Sequence, residues 1–142
     1  MRNIRQLLEV KGHEVWSIGP HESVLSAIER MAQKGIGALL VMQDGQTMGV
    51  ISERDYARKV ILQGKSSSAT PVSDIMSSRV VYAQPDQTIE ECMAVMTDRH
   101  IRHLPVLDGD QLAGLISIND LVRAIIADQR FRIEQLELYI SG

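Results

Sequence analysis

The chain has 142 residues, long enough to bury roughly two-thirds of its unfolded surface and to fold without disulfide or metal staples. Its 44% hydrophobic and 23% charged residues exclude disordered, collagen-like and disulfide-scaffold compositions. Fifteen Lys and Arg against eighteen Asp and Glu leave a formal charge of −3, so no global basic field exists for nucleic acid or an anionic membrane, and any anion site has to be local.

Cys92 is the only cysteine, which rules out an internal disulfide or a multi-cysteine zinc site and suits a reducing compartment. The apolar runs, such as residues 36–42 and 112–118, are strand-sized and far short of the ~20 residues of a spanning helix. The N-terminus carries Arg2, Arg5 and Glu9 in place of a continuous apolar signal. The expectation is a cytoplasmic protein.

Ile4, Leu7 and Leu8 predict a short leading helix in an extension covering residues 1–13. Beyond it the chain repeats itself at an offset of 65 residues. Across residues 20–58, eleven of thirty-nine positions are identical to their counterparts, among them Pro20/Pro85, Met31/Met96, Gly49/Gly114, Ser52/Ser117 and Asp55/Asp120. The first copy occupies residues 14–63. A short β-rich piece, Val15 to Ile18, ends at Pro20. Ser23 then caps a helix whose apolar stripe is Val24, Ala27, Ile28 and Met31. Two strands follow, Ala38 to Met42 and Met48 to Ser52, joined by the turn residues Asp44 and Gly45, and a second helix runs from Glu53 to about Leu62. Residues 64–71, with three consecutive serines, read as a linker.

The second copy, residues 72–127, predicts the same order: a short strand Val80 to Ala83, a helix capped by Thr88 with Cys92 on its apolar stripe, a hairpin of Leu104 to Leu107 and Leu112 to Ser117, and a helix from Ile118 to about Ala127. The fold class is therefore α/β (α+β), two β-α-β-β-α repeats. Residues 128–142 predict a C-terminal helix, with Ile133, Leu136 and Ile140 marking an amphipathic packing or dimer element.

The repeated chemistry lies where the last strand of each copy turns into a helix: Ser52-Glu53-Arg54-Asp55 and Ser117-Ile118-Asn119-Asp120. One reading is a capping box, with Ser accepting from a helical N–H and Asp reaching back to the cap residue. The other is a ligand site, since a helix N-terminus favours a phosphate nearby and a carboxylate there suits the vicinal hydroxyls of a ribose. The two are compatible.

Two β-α-β-β-α copies, each ending Gly-x-Ile-Ser-x-x-Asp, with His103-Leu104-Pro105-Val106 ahead of the second motif, resemble a tandem cystathionine-β-synthase-type (CBS) domain pair, the Bateman module of small stand-alone bacterial type. The resemblance covers about residues 10–127. It implies two repeats packed about a pseudo-twofold axis and two clefts for adenosine-containing ligands. The first cleft would combine Ser52, Arg54 and Asp55 with Val81, Arg102, His103 and Pro105; the second would combine Ser117, Asn119 and Asp120 with Trp16, Gly37 and Ala38. Asp would hold the ribose, strand backbone would read the adenine, and Arg or His would face phosphates.

The implied sites are unequal. His100, Arg102 and His103 of the second copy stand where the first has Gly35, Gly37 and Ala38, so cleft one collects Arg54, Arg102 and His103 and favours a phosphorylated nucleotide. The implied ligand is AMP first, with ADP, ATP or NAD as alternatives, and the implied partner is a second copy of the chain, with an unidentified effector protein downstream and neither nucleic acid nor membrane. No metal is expected, because His100 and His103 have no third ligand at zinc-site spacing. No catalytic residue is expected either: the chain has no Gly-x-Ser-x-Gly, no P-loop and no Cys-x-x-Cys. The alternative function is a dimerisation scaffold whose Ser-x-x-Asp motifs only cap helices.

Overall fold

The computed structural model describes residues 2–141. In chain order the elements are α1 (Ile4–Lys11), β1 (Ser17–Ile18), α2 (Val24–Lys34), β2 (Ala38–Gln43), β3 (Gln46–Ser52), α3 (Glu53–Tyr56), α4 (Ile89–Arg99), β4 (His103–Asp108), β5 (Gln111–Ser117) and α5 (Ile118–Ser141). They fall into two compact units, one of Val15–Val80 and one that joins the chain's start, up to Glu14, to the stretch from Val81 onward.

In the unit Val15–Val80, β1 runs parallel to β2, and β2 pairs antiparallel with β3 through the two-residue turn Asp44-Gly45, both at positive φ. Ser23 caps α2 by accepting from the Ser26 N–H, and Gly35 ends it in the left-handed conformation. Val24, Ala27 and Met31 of α2 pack with Ile18, Leu39, Val41 and Ile51 of the sheet. The helix after β3 is one α-turn, α3, continued by a π-helical turn over Ala57–Ile61 in which the Leu62 N–H reaches back to the Ala57 carbonyl.

The serine-rich segment is bonded into this unit. The Val24 N–H donates to the Thr70 carbonyl and the Leu25 N–H to that of Ser67, both at 2.9 Å, and the Tyr56 and Ser67 hydroxyls lie 2.9 Å apart. A 3₁₀ turn over Val72–Asp74 follows, and Val72 and Ile75 are buried in the core.

In the other unit, α1 takes the place that this turn holds in the first. Asn3 bridges to Thr88 as Pro71 bridges to Ser23, and Ile4, Leu7 and Leu8 are buried with Ile89, Cys92, Met96, Leu104, Val106, Ile116 and Leu121. Asn3 and Gln6 form a capping box on α1. The residues that lead into the first repeat thus complete the core of the second. Gly114 lies against this helix: a Cβ there would sit 2.7 Å from Leu8 Cδ2. Its counterpart Gly49 would meet the Ser77 carbonyl oxygen at 2.6 Å.

Two features depart from the sequence expectation. The strand expected over Val80 to Ala83 is reduced to a single parallel bridge between Ala83 and Val106. The cause is Pro105. In the first unit the Leu40 N–H donates to the Trp16 carbonyl, whereas the equivalent position in β4 is a proline with no N–H to give. The separate C-terminal helix expected over residues 128–142 is instead the continuation of α5, unbroken from Ile118 to Ser141, with Gly142 outside the described residues. No Gly or Pro interrupts that stretch, so nothing in the backbone stops the helix at Ala127.

Candidate functional site

Each Ser-x-x-Asp motif closes the last strand of its hairpin and opens a helix. At the first, Ser52 is extended (φ −125°, ψ 163°) and its Oγ accepts the Asp55 N–H at 3.1 Å. Asp55 Oδ2 reaches back to accept the Ser52 N–H at 2.9 Å and the Ser52 hydroxyl at 3.0 Å. At the second, Ser117 Oγ accepts the Asp120 N–H at 3.2 Å and Asp120 Oδ2 accepts the Ser117 N–H at 2.7 Å. Both motifs are complete capping boxes.

A lysine attends each carboxylate, from a different source in each unit. Lys59, one turn along the π-helical segment, places Nζ 3.2 Å from Asp55 Oδ1 and donates to the Ile75 carbonyl at 2.9 Å. Lys11, at the end of α1, donates to Asp120 Oδ2 at 2.6 Å and to the Leu115 carbonyl. Both lysines thus bridge a motif aspartate to a main-chain carbonyl. Burial pushes the Asp120 carboxyl up, but the hydrogen bonds from Lys11 and from the Ser117 backbone, with the Lys11 charge, outweigh it and hold the group below the ordinary carboxylate value. A carboxylate offers about four lone-pair directions; in Asp55 the cap uses those of Oδ2, and in Asp120 the cap and Lys11 share them. Asp55 Oδ1 faces Lys59, and Asp120 Oδ1 lies 4.0 Å from the exposed Arg123.

The remaining sequence-predicted residues are placed by their own units. In Val15–Val80, Ala38 is paired with Ser52, the Gly37 carbonyl accepts the Glu53 N–H at 3.0 Å, and the exposed Arg54 follows on α3. Trp16 is 36% exposed and carries Lys34 Nζ 4.1 Å over its ring, a cation–π pair. In the other unit His103 is paired with Ser117, the Arg102 carbonyl accepts the Ile118 N–H at 2.8 Å, and the buried Pro105 gives its carbonyl to the Ala83 N–H. Val81 is half-buried beside that bridge and Asn119 is exposed on α5. Each unit therefore gathers one motif with the strand residues assigned to the other motif's cleft.

Lys11 and Lys59 were missed by sequence reasoning. Lys59 was findable, since it stands four residues after Asp55 on a helix. Lys11 lies 109 residues from Asp120 and gives no local signal. His13 has Nδ1 2.7 Å from the Ala113 carbonyl. Cys92 is buried, and burial with the neighbouring Glu91 charge pushes its thiol up to about 11, the state of an inert core residue. Among the described residues no three His, Cys, Asp or Glu gather as metal ligands, and no helix is long and apolar enough to cross a membrane. A cavity of about 120 Å³ is lined by Ile89, Glu90, Ile125, Asp128, Gln129 and Arg132, none of them a predicted site residue.

The family model of the CBS domain matches this chain twice, over residues 9–61 and 72–127, one motif in each match. The chain belongs to the CBS-domain family. Among solved structures, a CBS-domain protein of Burkholderia ambifaria is similar at 50% identity and a TM-score of 0.86, covering 89% of this chain and 96% of that one. The mitochondrial CBS domain-containing protein CBSX3 of Arabidopsis thaliana is 39% identical over 126 residues, which span 85% of this chain and 61% of the plant protein. The CBS domain-containing protein YhcV of Bacillus subtilis is 32% identical over 108 residues, 76% of each chain. The matched stretch thus spans nearly all of one solved chain and less than two thirds of the plant protein.

Proposed function

We propose that this CBS-domain pair is a non-catalytic regulatory module that binds adenine nucleotides, AMP first, with ADP, ATP or NAD as alternatives. The observation that carries the reading is the duplicated geometry at the two strand-to-helix joins. In both units a helix N-terminus, a serine hydroxyl and a partly buried aspartate stand together, with a lysine supplying positive charge. A helix N-terminus and an ammonium favour phosphate, and a carboxylate held by its neighbours accepts from a ribose diol without reorganising.

The proposed residue sets are those named from sequence: Ser52, Arg54, Asp55, Val81, Arg102, His103 and Pro105 for one ligand, and Trp16, Gly37, Ala38, Ser117, Asn119 and Asp120 for the other. The first set holds more cationic groups and takes the more phosphorylated ligand. Binding changes the surface offered to an effector, which requires different affinity for two states. The Burkholderia neighbour, described as a proposed signal-transduction protein, supports a regulatory role. A single buried thiol suits the cytoplasm, and the module works as a homodimer.

A thermal-shift series with AMP, ATP and NAD tests this reading, because a ligand that binds only the folded chain raises the melting temperature with concentration. A rise with at least one of the three is expected. No response to any of them leaves the second reading, a scaffold without ligand, which is favoured by the completeness of both capping boxes.

A further inference from the structure

The residue set proposed with Asp120 contains no cationic side chain, although every adenine nucleotide brings at least one phosphate. The structure puts a cation there from a distant part of the chain. Lys11, the last residue of α1, places Nζ 2.6 Å from Asp120 Oδ2 and also donates to the Leu115 carbonyl. An ammonium has three N–H donors, so one is left without an acceptor among the described residues. The lysine is the more exposed member of the pair, its side chain 36% exposed against 12% for Asp120, so whatever approaches the carboxylate from solvent meets the ammonium with it. Arg123 is the other cation at hand, but it is 79% exposed and 4.0 Å from Oδ1, where a surface pair contributes little.

Neither repetition nor capping accounts for this lysine. At the offset of 65 residues Lys11 answers to Met76, and the buried Ala124 stands where the first repeat carries Lys59, the partner of Asp55. The second motif thus has alanine in the place of a lysine, and the ammonium arrives from α1 instead. The cap is complete without it, since Ser117 Oγ and Asp120 Oδ2 close the box with main-chain N–H groups alone. Lys11 is also held from both ends. Asp120 and the Leu115 carbonyl fix its tip, and the burial of Ile4, Leu7 and Leu8 fixes the helix behind it. Most of the entropy cost of ordering a long side chain is therefore met before any ligand arrives.

We propose that Lys11 is the phosphate-binding residue of the Asp120 site, that it makes this site select phosphorylated adenosine over the bare nucleoside, and that a bound phosphate ties α1 to the site. The inference rests on the adenine-nucleotide reading and adds to it a residue 109 positions from Asp120 and a reporting element, α1. A neutral nucleoside competes with Lys11 for the lone pairs of Asp120 and gives the ammonium nothing in exchange. A nucleotide gives it a charge-assisted hydrogen bond.

The test uses the full-length Asp55→Asn chain, in which the Asp120 motif is the one left intact, with AMP titrated directly and adenosine read by its competition with AMP. AMP is expected to bind more tightly than adenosine, and adding Lys11→Met is expected to cut the ratio of the two affinities about tenfold. Lys11→Arg, which keeps a cation with donors to spare, is expected to preserve most of the ratio. Because the ratio compares two ligands on one protein, a loss of stability in the variant leaves it unmoved. AMP, and not adenosine, is expected to slow amide hydrogen exchange in the last turn of α1, and to do so only while residue 11 is cationic. A ratio that Lys11→Met leaves unchanged overturns the proposal while the nucleotide reading stands, and so does AMP binding that leaves α1 exchange as it was. If neither AMP nor ATP binds the wild-type chain, the nucleotide reading itself falls and the proposal falls with it.

Discussion

Gly49 and Gly114 show how one repeated residue answers to two different neighbours. At Gly49 an added Cβ would strike the Ser77 main-chain oxygen and Met76 Sδ, whereas at Gly114 it would strike the terminal carbons of Leu8. Backbone cannot yield as a side-chain tip can, so Gly49→Ala is expected to cost about 2 kcal/mol and Gly114→Ala about half that, read by urea unfolding. The lysines differ in a comparable way. The folded-state pKa of Asp120 is lowered, so the unfolded chain takes up the proton first. Its contribution to stability is therefore present above the unfolded value of ~3.9 and is lost as the pH falls through the folded value. Lys11→Met removes the hydrogen bond and the charge but leaves the burial. Carboxyl NMR should then find Asp120 titrating at higher pH than in the wild type, and acid unfolding should begin at higher pH. An unchanged titration would mean that the Ser117 backbone bond alone holds the group.

At the scale of elements, the helix before the first repeat belongs energetically to the second. Ile4, Leu7 and Leu8 are buried in the core of α4, β4, β5 and α5, and α1 also carries Lys11 to Asp120. Leu8→Ala is expected to cost about 3 kcal/mol. Its loss of amide hydrogen-exchange protection should concentrate in the unit from Val81 onward and spare β2 and β3. Protection lost first in β2 and β3 would contradict the assignment. The sequence predicts the hairpins, the caps at Ser23 and Thr88 and both strand-to-helix motifs, because turn, cap and periodicity signals are local. It predicts a leading helix at Ile4, Leu7 and Leu8 but not the repeat they pack into, since that pairing spans most of the chain. The lost strand at Val80 to Ala83 was legible in principle: Pro105 stands in β4 where a donor is needed. The serine-rich segment reads as a linker by composition, yet its carbonyls close the first turn of α2, a role composition does not encode.

For the whole molecule, duplication supplies two copies of one motif, and under the proposed function the differences between them are expected to give each its own ligand preference. Asp55 takes its lysine from the adjoining helical turn, whereas Asp120 takes its lysine from α1, so a ligand drawing on Asp120 also bears on the N-terminal helix. The residue sets are unequal in charge as well, with Arg54, Arg102 and His103 in the first. The most direct measurement is isothermal titration calorimetry with AMP and ATP on the wild type, Asp55→Asn and Asp120→Asn, each checked for an unchanged far-UV spectrum. The account predicts binding to the wild type, with the tighter event lost in Asp55→Asn and retained in Asp120→Asn. Heats of dilution alone for the wild type, or nucleotide binding that neither substitution weakens, would contradict it.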